Sequence, residues 1–367
     1  MAIQETQTAV IQSGDRSTAL LPLKASTVPV PILPSEHHVL VRVLAVALNP
    51  TDHKMVRHFP NPGNMVGCDF CGVVERSVPG SEAATTFPIG TRVCGGAFPY
   101  SPASPINGAF AEWIAADARL LLRVPDTMDD LQGAALGGVG WGTAGLAFFD
   151  PGALNLPGRP SNPAPGTEPV LVYGGTTASG TMACQVLKLC GYRPIAVTST
   201  KSAPMAIEYG AIGTAAYTSA KCAEEIKALA GGKPIRYAMD CITTAESAAT
   251  CFAAMARTGG RYACLEGLPQ AARTRPSIRI KEVMGFEGLG FDVNLGDSSY
   301  SRVANPELFK VTAQWTAEMQ KLVDAAKLKT HPIREVPGRW DGIIQGLALL
   351  ESGDVRGKKL VVRIVTR

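Results

Sequence analysis

The stretch Val170-Leu171-Val172-Tyr173-Gly174-Gly175-Thr176-Thr177-Ala178-Ser179-Gly180 decides the fold. Apolar residues end in two glycines, pass through small hydroxylated residues, and lead into the interleaved small and apolar residues of 181–190. That order predicts a buried strand, a tight turn and a helix. Glycine lets a backbone turn sharply and approach a pyrophosphate, and the free N–H groups at a helix start bind that anion. The spacing is not a strict G-x-G-x-x-G, so the turn could also bind nothing; its context carries the reading. Downstream, strands expected at 194–198, 215–217, 235–240 and 260–265 alternate with helices at 203–209, 221–229 and 246–257. Such alternation indicates βαβ units and a parallel sheet. An NAD site usually places Asp or Glu about 20 residues after the glycines, for the ribose 2′-hydroxyl. Here Thr198-Ser199-Thr200-Lys201 offers hydroxyls and an ammonium, which suit a 2′-phosphate, so NADPH is the expected cofactor. Ser199 or Thr200 could equally cap a solvated helix.

On the N-terminal side the pattern is different. Strands are expected at 38–48, 66–78, 91–95 and 110–116, separated by Gly and Pro, then helices at 129–135 and 142–149. Six prolines in 151–169 mark an ordered loop or linker insert. Near the other end, Leu308, Val311, Trp315, Met319 and Leu322 share one helical face, which predicts a packing stripe, and 359–364 reads as a strand. The chain of 367 residues suggests two domains. With 46% hydrophobic and 18% charged residues it is not a disordered chain. No apolar run is long enough for a membrane span, and the polar residues 1–5 lack the order of a signal peptide. A net charge of +4, with the basic residues scattered, argues against nucleic acid as the main partner. A soluble, cytoplasmic protein is expected.

Nine cysteines, an odd number without a secretory signal, read as reduced core residues. Cys68 and Cys71 form a Cys-x-x-Cys pair, but no second pair follows at zinc spacing. A thioredoxin-like redox pair is the alternative, although the surrounding segment reads as a strand and not as a helix start. The histidines at 37, 38, 53, 58 and 331 make no ligand set with these cysteines, so no metal is expected. There is no G-x-S-x-G, and Ser179 belongs to the nucleotide loop, which removes hydrolase readings.

Across nearly the whole chain the sequence resembles the medium-chain dehydrogenase/reductase superfamily. The residues that carry this are Ala47-Leu48-Asn49-Pro50-Thr51-Asp52, Gly67-Cys68-Asp69-Phe70-Cys71-Gly72-Val73-Val74, Gly108-Ala109-Phe110-Ala111-Glu112, the nucleotide loop, Met239-Asp240-Cys241-Ile242 and Gly357-Lys358-Lys359-Leu360-Val361-Val362. The resemblance implies an α/β fold: a GroES-like, β-rich catalytic domain from both chain ends, 1–134 and 304–367, with a Rossmann domain, 135–303, inserted. Zinc alcohol dehydrogenases of this superfamily carry Gly-His-Glu where Cys68-Asp69 stands here, a Cys segment where Asn49-Pro50-Thr51-Asp52 stands, and a four-Cys lobe that this sequence lacks. The chain therefore resembles the zinc-free reductases. Within them, Asn49-Pro50-Thr51-Asp52-His53-Lys54-Met55, Thr143-Ala144-Gly145-Leu146, the proline-rich insert and Arg236-Tyr237-Ala238-Met239-Asp240-Cys241-Ile242-Thr243 look most like the trans-acting enoyl reductases of fungal highly reducing polyketide synthases and polyketide synthase–peptide synthetase hybrids. One departure is 137–143, one residue longer than the family pattern, which leaves acyl-chain preference open.

The resemblance implies the following site. Lys54 would offer charge to an enolate, or a proton to the substrate Cα, and Thr143 would hydrogen-bond the nicotinamide carboxamide or the thioester carbonyl. A solvated lysine and a packed helix threonine are the alternatives. No tyrosine lies between Pro50 and Tyr100, so the donor tyrosine of mitochondrial-type enoyl reductases has no counterpart there. Thr51, Asp52, His53 and Lys54 would contact cofactor. Gly174, Gly175, Thr176, Thr177, Ala178 and Ser179 would meet the pyrophosphate, and Thr198, Ser199, Thr200 and Lys201 the 2′-phosphate. Tyr217 would meet the adenosine side, although a strand tyrosine is usually core. Leu265 and Glu266 would lie at the nicotinamide end, with Val283, Met284, Gly285, Phe286 and Glu287 on the flank and Val355 and Arg356 close to the last contact. Gly140, Trp141, Gly142 and Thr143 would line the substrate side. Gly285-Phe286-Glu287-Gly288-Leu289-Gly290-Phe291 stands where quinone-reductase relatives pair through a Rossmann edge strand. Its glycines and acid suit a poorly pairing edge, so a monomer is expected, visited transiently by an acyl carrier protein domain. A free-standing quinone or enone reductase, an NADPH-binding scaffold without catalysis, and a pocket repurposed for cyclisation remain alternatives.

Overall fold

The computed structural model of the protein describes residues 5–15, 20–102 and 106–365. Residues 1–4, read above for a leader, lie outside them. The chain forms two compact units: Met1–Val139, Leu289–Asn305 and Met319–Arg367 make the first, Gly140–Gly288 and Pro306–Glu318 the second.

The N-terminal part of the first unit holds β1 (Thr6–Gln12), β2 (Leu23–Pro29), β3 (His38–Ala47), α1 (Pro50–His58), β4 (Asp69–Ser77), α2 (Glu82–Thr86), β5 (Arg92–Gly96), β6 (Trp113–Asp117), β7 (Leu122–Arg123) and α3 (Asp130–Leu136). Its longest strand, β3, has nearly every residue buried because it is covered on both faces and flanked on both edges. β4 pairs with β3 through two register shifts, at Leu40/Val41 and Val43/Ala45. Such bulges bend the strand. α1 starts with Pro50, whose missing N–H is no loss in a first turn. α3 lies on β3, β4 and β5.

α4 (Val139–Phe149) leads into the second unit, which continues with β8 (Pro169–Tyr173), α5 (Ala178–Leu189), β9 (Arg193–Thr198), α6 (Ala203–Glu208), β10 (Gly213–Ala216), α7 (Cys222–Leu229), β11 (Tyr237–Asp240), α8 (Ala245–Ala254), β12 (Gly260–Cys264) and β13 (Ile278–Glu282). The six strands run parallel in the order β10-β9-β8-β11-β12-β13. Every residue of β8 is buried, as a central parallel strand requires. Leu171 and Tyr173 join Ile195, Ile226, Ala248 and Phe252 in one core, and α5 covers β8 and β9. The sheet ends in β13, so the edge strand expected at 285–291 is corrected: Gly285–Leu289 is a 3₁₀ turn after β13. The alternating Ile278-Arg279-Ile280-Lys281 supports a strand better than the glycine-spaced stretch that follows.

The chain closes with α9 (Pro306–Asp324), β14 (Ile333–Glu335), α10 (Arg339–Glu351) and β15 (Lys359–Arg363). Of the five residues in the predicted stripe on α9, Leu308, Trp315, Met319 and Leu322 are buried and Val311 is half-buried. β15 returns to the first sheet, where Val361 pairs with Ala47 on β3, and α10 packs on α1. No helix among the described residues is long and apolar enough to cross a membrane.

Candidate functional site

Two clusters carry chemistry, one in each unit. In the second unit the order of the strands reverses between β8 and β11, and such a switch point leaves a crevice beyond the carboxyl ends of the strands. Gly174 follows β8 with a φ of +76°, a conformation open to glycine, and a Cβ there would press on the Ile242 side chain at 3.0 Å. At Gly180 a Cβ would stand 2.1 Å from the Gly174 carbonyl oxygen, so only glycine lets α5 begin this close to the turn. Thr177 is the N-cap of α5; its hydroxyl accepts from the Gly180 N–H at 3.0 Å and donates to the Gly174 carbonyl at 2.9 Å. The first N–H groups of the helix, from Ala178 and Ser179, precede any intrahelical acceptor and face outward along its axis. This cradle suits an anion and fits the pyrophosphate of a dinucleotide.

The second-unit residues expected at the cofactor all follow the carboxyl ends of strands. Thr198 ends β9, and its hydroxyl meets that of Thr176 at 2.5 Å. Ser199 accepts from the Ser202 N–H and caps the short turn Thr200–Ser202; Lys201 on that turn is exposed. Tyr217 follows β10 and is 50% exposed, so it is not the core tyrosine that a strand position suggests. Its N–H donates to the Thr198 carbonyl at 3.2 Å, which sets it beside the same strand end. Leu265 and Glu266 follow β12, and 283–287 follow β13. Of these, Glu287 turns inward: its carboxylate takes Lys281 Nζ at 3.0 Å and the Met284 N–H at 3.1 Å. Thr143 is buried, and a Cβ on Gly285 would approach its hydroxyl to 2.9 Å, so these two positions adjoin. Trp141 is core at 2% exposure, its carbonyl accepting from Trp315 Nε1 at 2.8 Å. Gly140 and Gly142 on the same turn have open space where a side chain would be.

Sequence reasoning used 236–243 for the family resemblance but gave 241–243, the segment after β11, no place at the site. Asp240, fully buried, accepts the Ile242 and Thr243 N–H groups at 2.9 Å each, the Ser247 hydroxyl at 2.6 Å and the Tyr262 hydroxyl at 2.7 Å. Thr243 is thereby held at a φ of +58°, and its hydroxyl accepts the Leu265 N–H at 3.1 Å. The position of β11 beside β8 is the signal that would have found it.

In the first unit, α1 carries Thr51, Asp52, His53 and Lys54. Thr51, His53 and Lys54 are half-buried, while Asp52 is closed to solvent. The Asp52 carboxylate accepts the Tyr100 hydroxyl at 2.6 Å and the Asn49 N–H at 2.8 Å, so this side chain anchors α1. Burial pushes the Asp52 carboxyl up to about 6, against the opposing hydrogen bonds from Tyr100 and Asn49. Burial also lowers the His53 pKa. Tyr100 is itself fully buried and far above the ordinary tyrosine range through burial, which makes it a strut and not an exchangeable donor. Val355 and the exposed Arg356 lie between α10 and β15. All nine cysteines are free thiols, and burial pushes Cys68 and Cys94 well above the thiol range. Among the described residues no group of three or more His, Cys, Asp or Glu is arranged to hold a metal ion.

Residues 35–126 match the alcohol dehydrogenase GroES-like domain family, and 178–291 match the zinc-binding dehydrogenase family. The chain is 56% identical over 365 residues to the trans-enoyl reductase calK of Penicillium decumbens, covering 98% of each chain. It is 55% identical to the trans-enoyl reductase sthE of Phaeosphaeria nodorum, covering 98% of this chain and 97% of that one. Among solved structures, a putative zinc-dependent alcohol dehydrogenase from Rhizobium etli superposes with a TM-score of 0.78 at 25% identity, covering the whole of both chains. The CurK enoyl reductase superposes with a TM-score of 0.71 at 16% identity, covering 98% of this chain and 99% of that one, a likeness of fold. Two matched families, the parallel sheet with its glycine cradle and near-complete coverage at over half identity lead to one conclusion: the chain belongs to the fungal trans-enoyl reductases of the medium-chain dehydrogenase/reductase superfamily.

Proposed function

We propose that the protein reduces α,β-unsaturated acyl thioesters carried on the acyl carrier protein domain of a polyketide synthase or polyketide synthase–peptide synthetase hybrid, with NADPH as its cofactor. The identity to trans-enoyl reductases along nearly the whole chain carries this reading. The preference for NADPH is supported by the end of β9, where Thr198, Ser199, Thr200 and an exposed Lys201 replace the carboxylate of an NAD site.

The reaction needs a hydride at Cβ, stabilisation of an enolate oxygen and a proton at Cα. The nicotinamide cofactor supplies the hydride when bound. Gly174, Gly175, Thr176, Thr177 and the first N–H groups of α5 would hold its pyrophosphate, while Ser199, Thr200 and Lys201 would hold the 2′-phosphate. Tyr217 would meet the adenosine side. Leu265 and 283–287 would flank the nicotinamide end, with Glu287 serving from behind as the anchor of its turn. Thr143 donates its hydroxyl to the nicotinamide carboxamide or the thioester carbonyl, and Gly140 and Gly142 leave room for the acyl chain. Lys54 brings positive charge to the enolate and delivers the proton to Cα. The enzyme works as a cytoplasmic monomer and meets its carrier protein transiently.

The test is turnover of a pantetheine-linked enoyl thioester, followed by NADPH oxidation and by deuterium transfer from labelled cofactor. Lys54→Ala should lower kcat by a factor of about 10² to 10³ while NADPH still binds. A wild type that oxidises NADPH with simple quinones and ignores every enoyl thioester would overturn the reading.

A further inference from the structure

A buried charged cluster in the first unit takes no part in the steps above. Lys359, the first residue of β15, and Asp69, the first of β4, have side chains 6% and 1% exposed, and Lys359 Nζ lies 3.0 Å from Asp69 Oδ2. The same ammonium donates to Asn49 Oδ1, and Asn49 Nδ2 donates to Asp69 Oδ2 at 2.9 Å. The second carboxylate oxygen, Oδ1, accepts the N–H groups of Gly138 and Val139 at 2.8 Å each. Gly137 and Gly138 make this approach possible. A Cβ on Gly137 would stand 2.4 Å from the Asp69 carboxyl carbon, and one on Gly138 would stand 2.2 Å from the Gly96 nitrogen.

Burying an ion pair is poor economy for stability, since two apolar side chains would hold β15 and β4 together as well. Charge is needed for what the pair does to its neighbours. Asp69 places a carboxylate at the first turn of α4, where unsatisfied N–H groups and the helix dipole favour it. Asn49 is the residue that starts α1, and its side chain is bound from both sides by the pair. Without Lys359 the Asp69 carboxylate would be buried with no counter-charge, and Asn49 would lose the partner of its carbonyl.

We propose that Lys359 is a positioning residue for the reduction: through Asp69 and Asn49 it fixes the start of α1, which carries Lys54, and the first turn of α4. The catalytic half of this inference rests on the assignment of Lys54 above; the structural lock does not.

Amide exchange and steady-state kinetics on the full chain test both halves. In Lys359→Met, exchange should quicken at least about tenfold in peptides covering 49–55 and 137–141, with 170–198 unchanged. The kcat on an enoyl thioester should fall at least about tenfold while the KM for NADPH stays within about twofold, and Lys359→Arg should recover most of the loss. Asn49→Ala, which leaves the ion pair in place, should quicken exchange at 49–55 and spare 137–141. Should Lys359→Met not fold, Asn49→Ala and Lys359→Arg still decide the matter. Wild-type exchange at 49–55 in Asn49→Ala overturns the lock. So does a folded Asp69→Asn/Lys359→Met double variant with wild-type exchange. Quickened exchange with undiminished kcat overturns the catalytic half. If the wild type reduces no thioester at all, the Lys54 assignment falls, and the exchange data still judge the lock on their own.

Discussion

Asp52 sits where no water reaches it, and its ionised form depends on the Tyr100 hydroxyl and the Asn49 N–H. Its carboxyl rises from 3.8 in the open chain to about 6 in the fold, chiefly through burial. A raised carboxyl means that the folded state holds its proton longer, so this contribution to stability is complete below 3.8 and is lost as pH rises through 6. Against Asp52→Asn, which does not titrate, wild-type unfolding free energy should decline by roughly 3 kcal/mol between about pH 4 and about pH 6.5 in urea titrations. A constant difference across that range would show that the carboxylate is not desolvated. Lys201, exposed on its turn, calls for another measurement. Lys201→Glu should weaken NADPH at least about tenfold, roughly 1.4 kcal/mol, and leave NADH within about twofold in fluorescence titration. Equal binding of NADPH by wild type and variant would remove the phosphate from this strand end. The hydroxyl-and-ammonium run after β9 was legible because its residues are neighbours in sequence. Tyr100 was not: it meets Asp52 across 48 residues, and no local pattern announces a partner that distant.

At the scale of elements, the start of α5 concentrates the demands on one glycine. Gly180→Ala would put a methyl 2.1 Å from the Gly174 carbonyl oxygen and 2.8 Å from the Gly175 Cα, both backbone atoms that cannot swing aside. The helix must shift off β8, so stability should fall by about 1–3 kcal/mol and NADPH affinity should fall with it. Unchanged affinity in a folded variant would show that the cradle is not set by this contact. The alternation of strands and helices from 170 onward was readable because strands and helices carry different periods, and glycines follow β8, α5, α6 and α7 closely. Elements whose residues answer to distant partners were not. α10 escaped notice because its apolar run carries Gly342 and Gly346, which weaken a helix pattern. The structure uses both for close approach, to the Pro337 carbonyl and to Leu48. β13 was overlooked in favour of 285–291, since three charges in its five residues hide the alternation of Ile278 and Ile280.

For the molecule as a whole, β13 is one end of the parallel sheet, the strand to which a second copy could add its own. Arg279 and Lys281 on that strand would meet their own kind across an antiparallel pairing, and like charges placed opposite destabilise it. Light scattering at micromolar protein should therefore give 38.5 kDa, and twice that mass would mean that the edge pairs after all. The closing of the first unit also has a consequence in time. Lys359 reaches Asn49 across 310 residues and Asp69 across 290, so the ribosome must deliver all the chain between them before this cluster can form. Until β15 emerges, the Ala45–Ala47 end of β3 lacks the partner on its second edge, where β6 covers only His38–Arg42, while 140–288 already holds every strand of the parallel sheet. The later-sealed unit is thus the one made first. A nascent chain stalled or clipped shortly before 359 should carry a folded nucleotide unit joined to an open β-sheet edge, the form most exposed to aggregation.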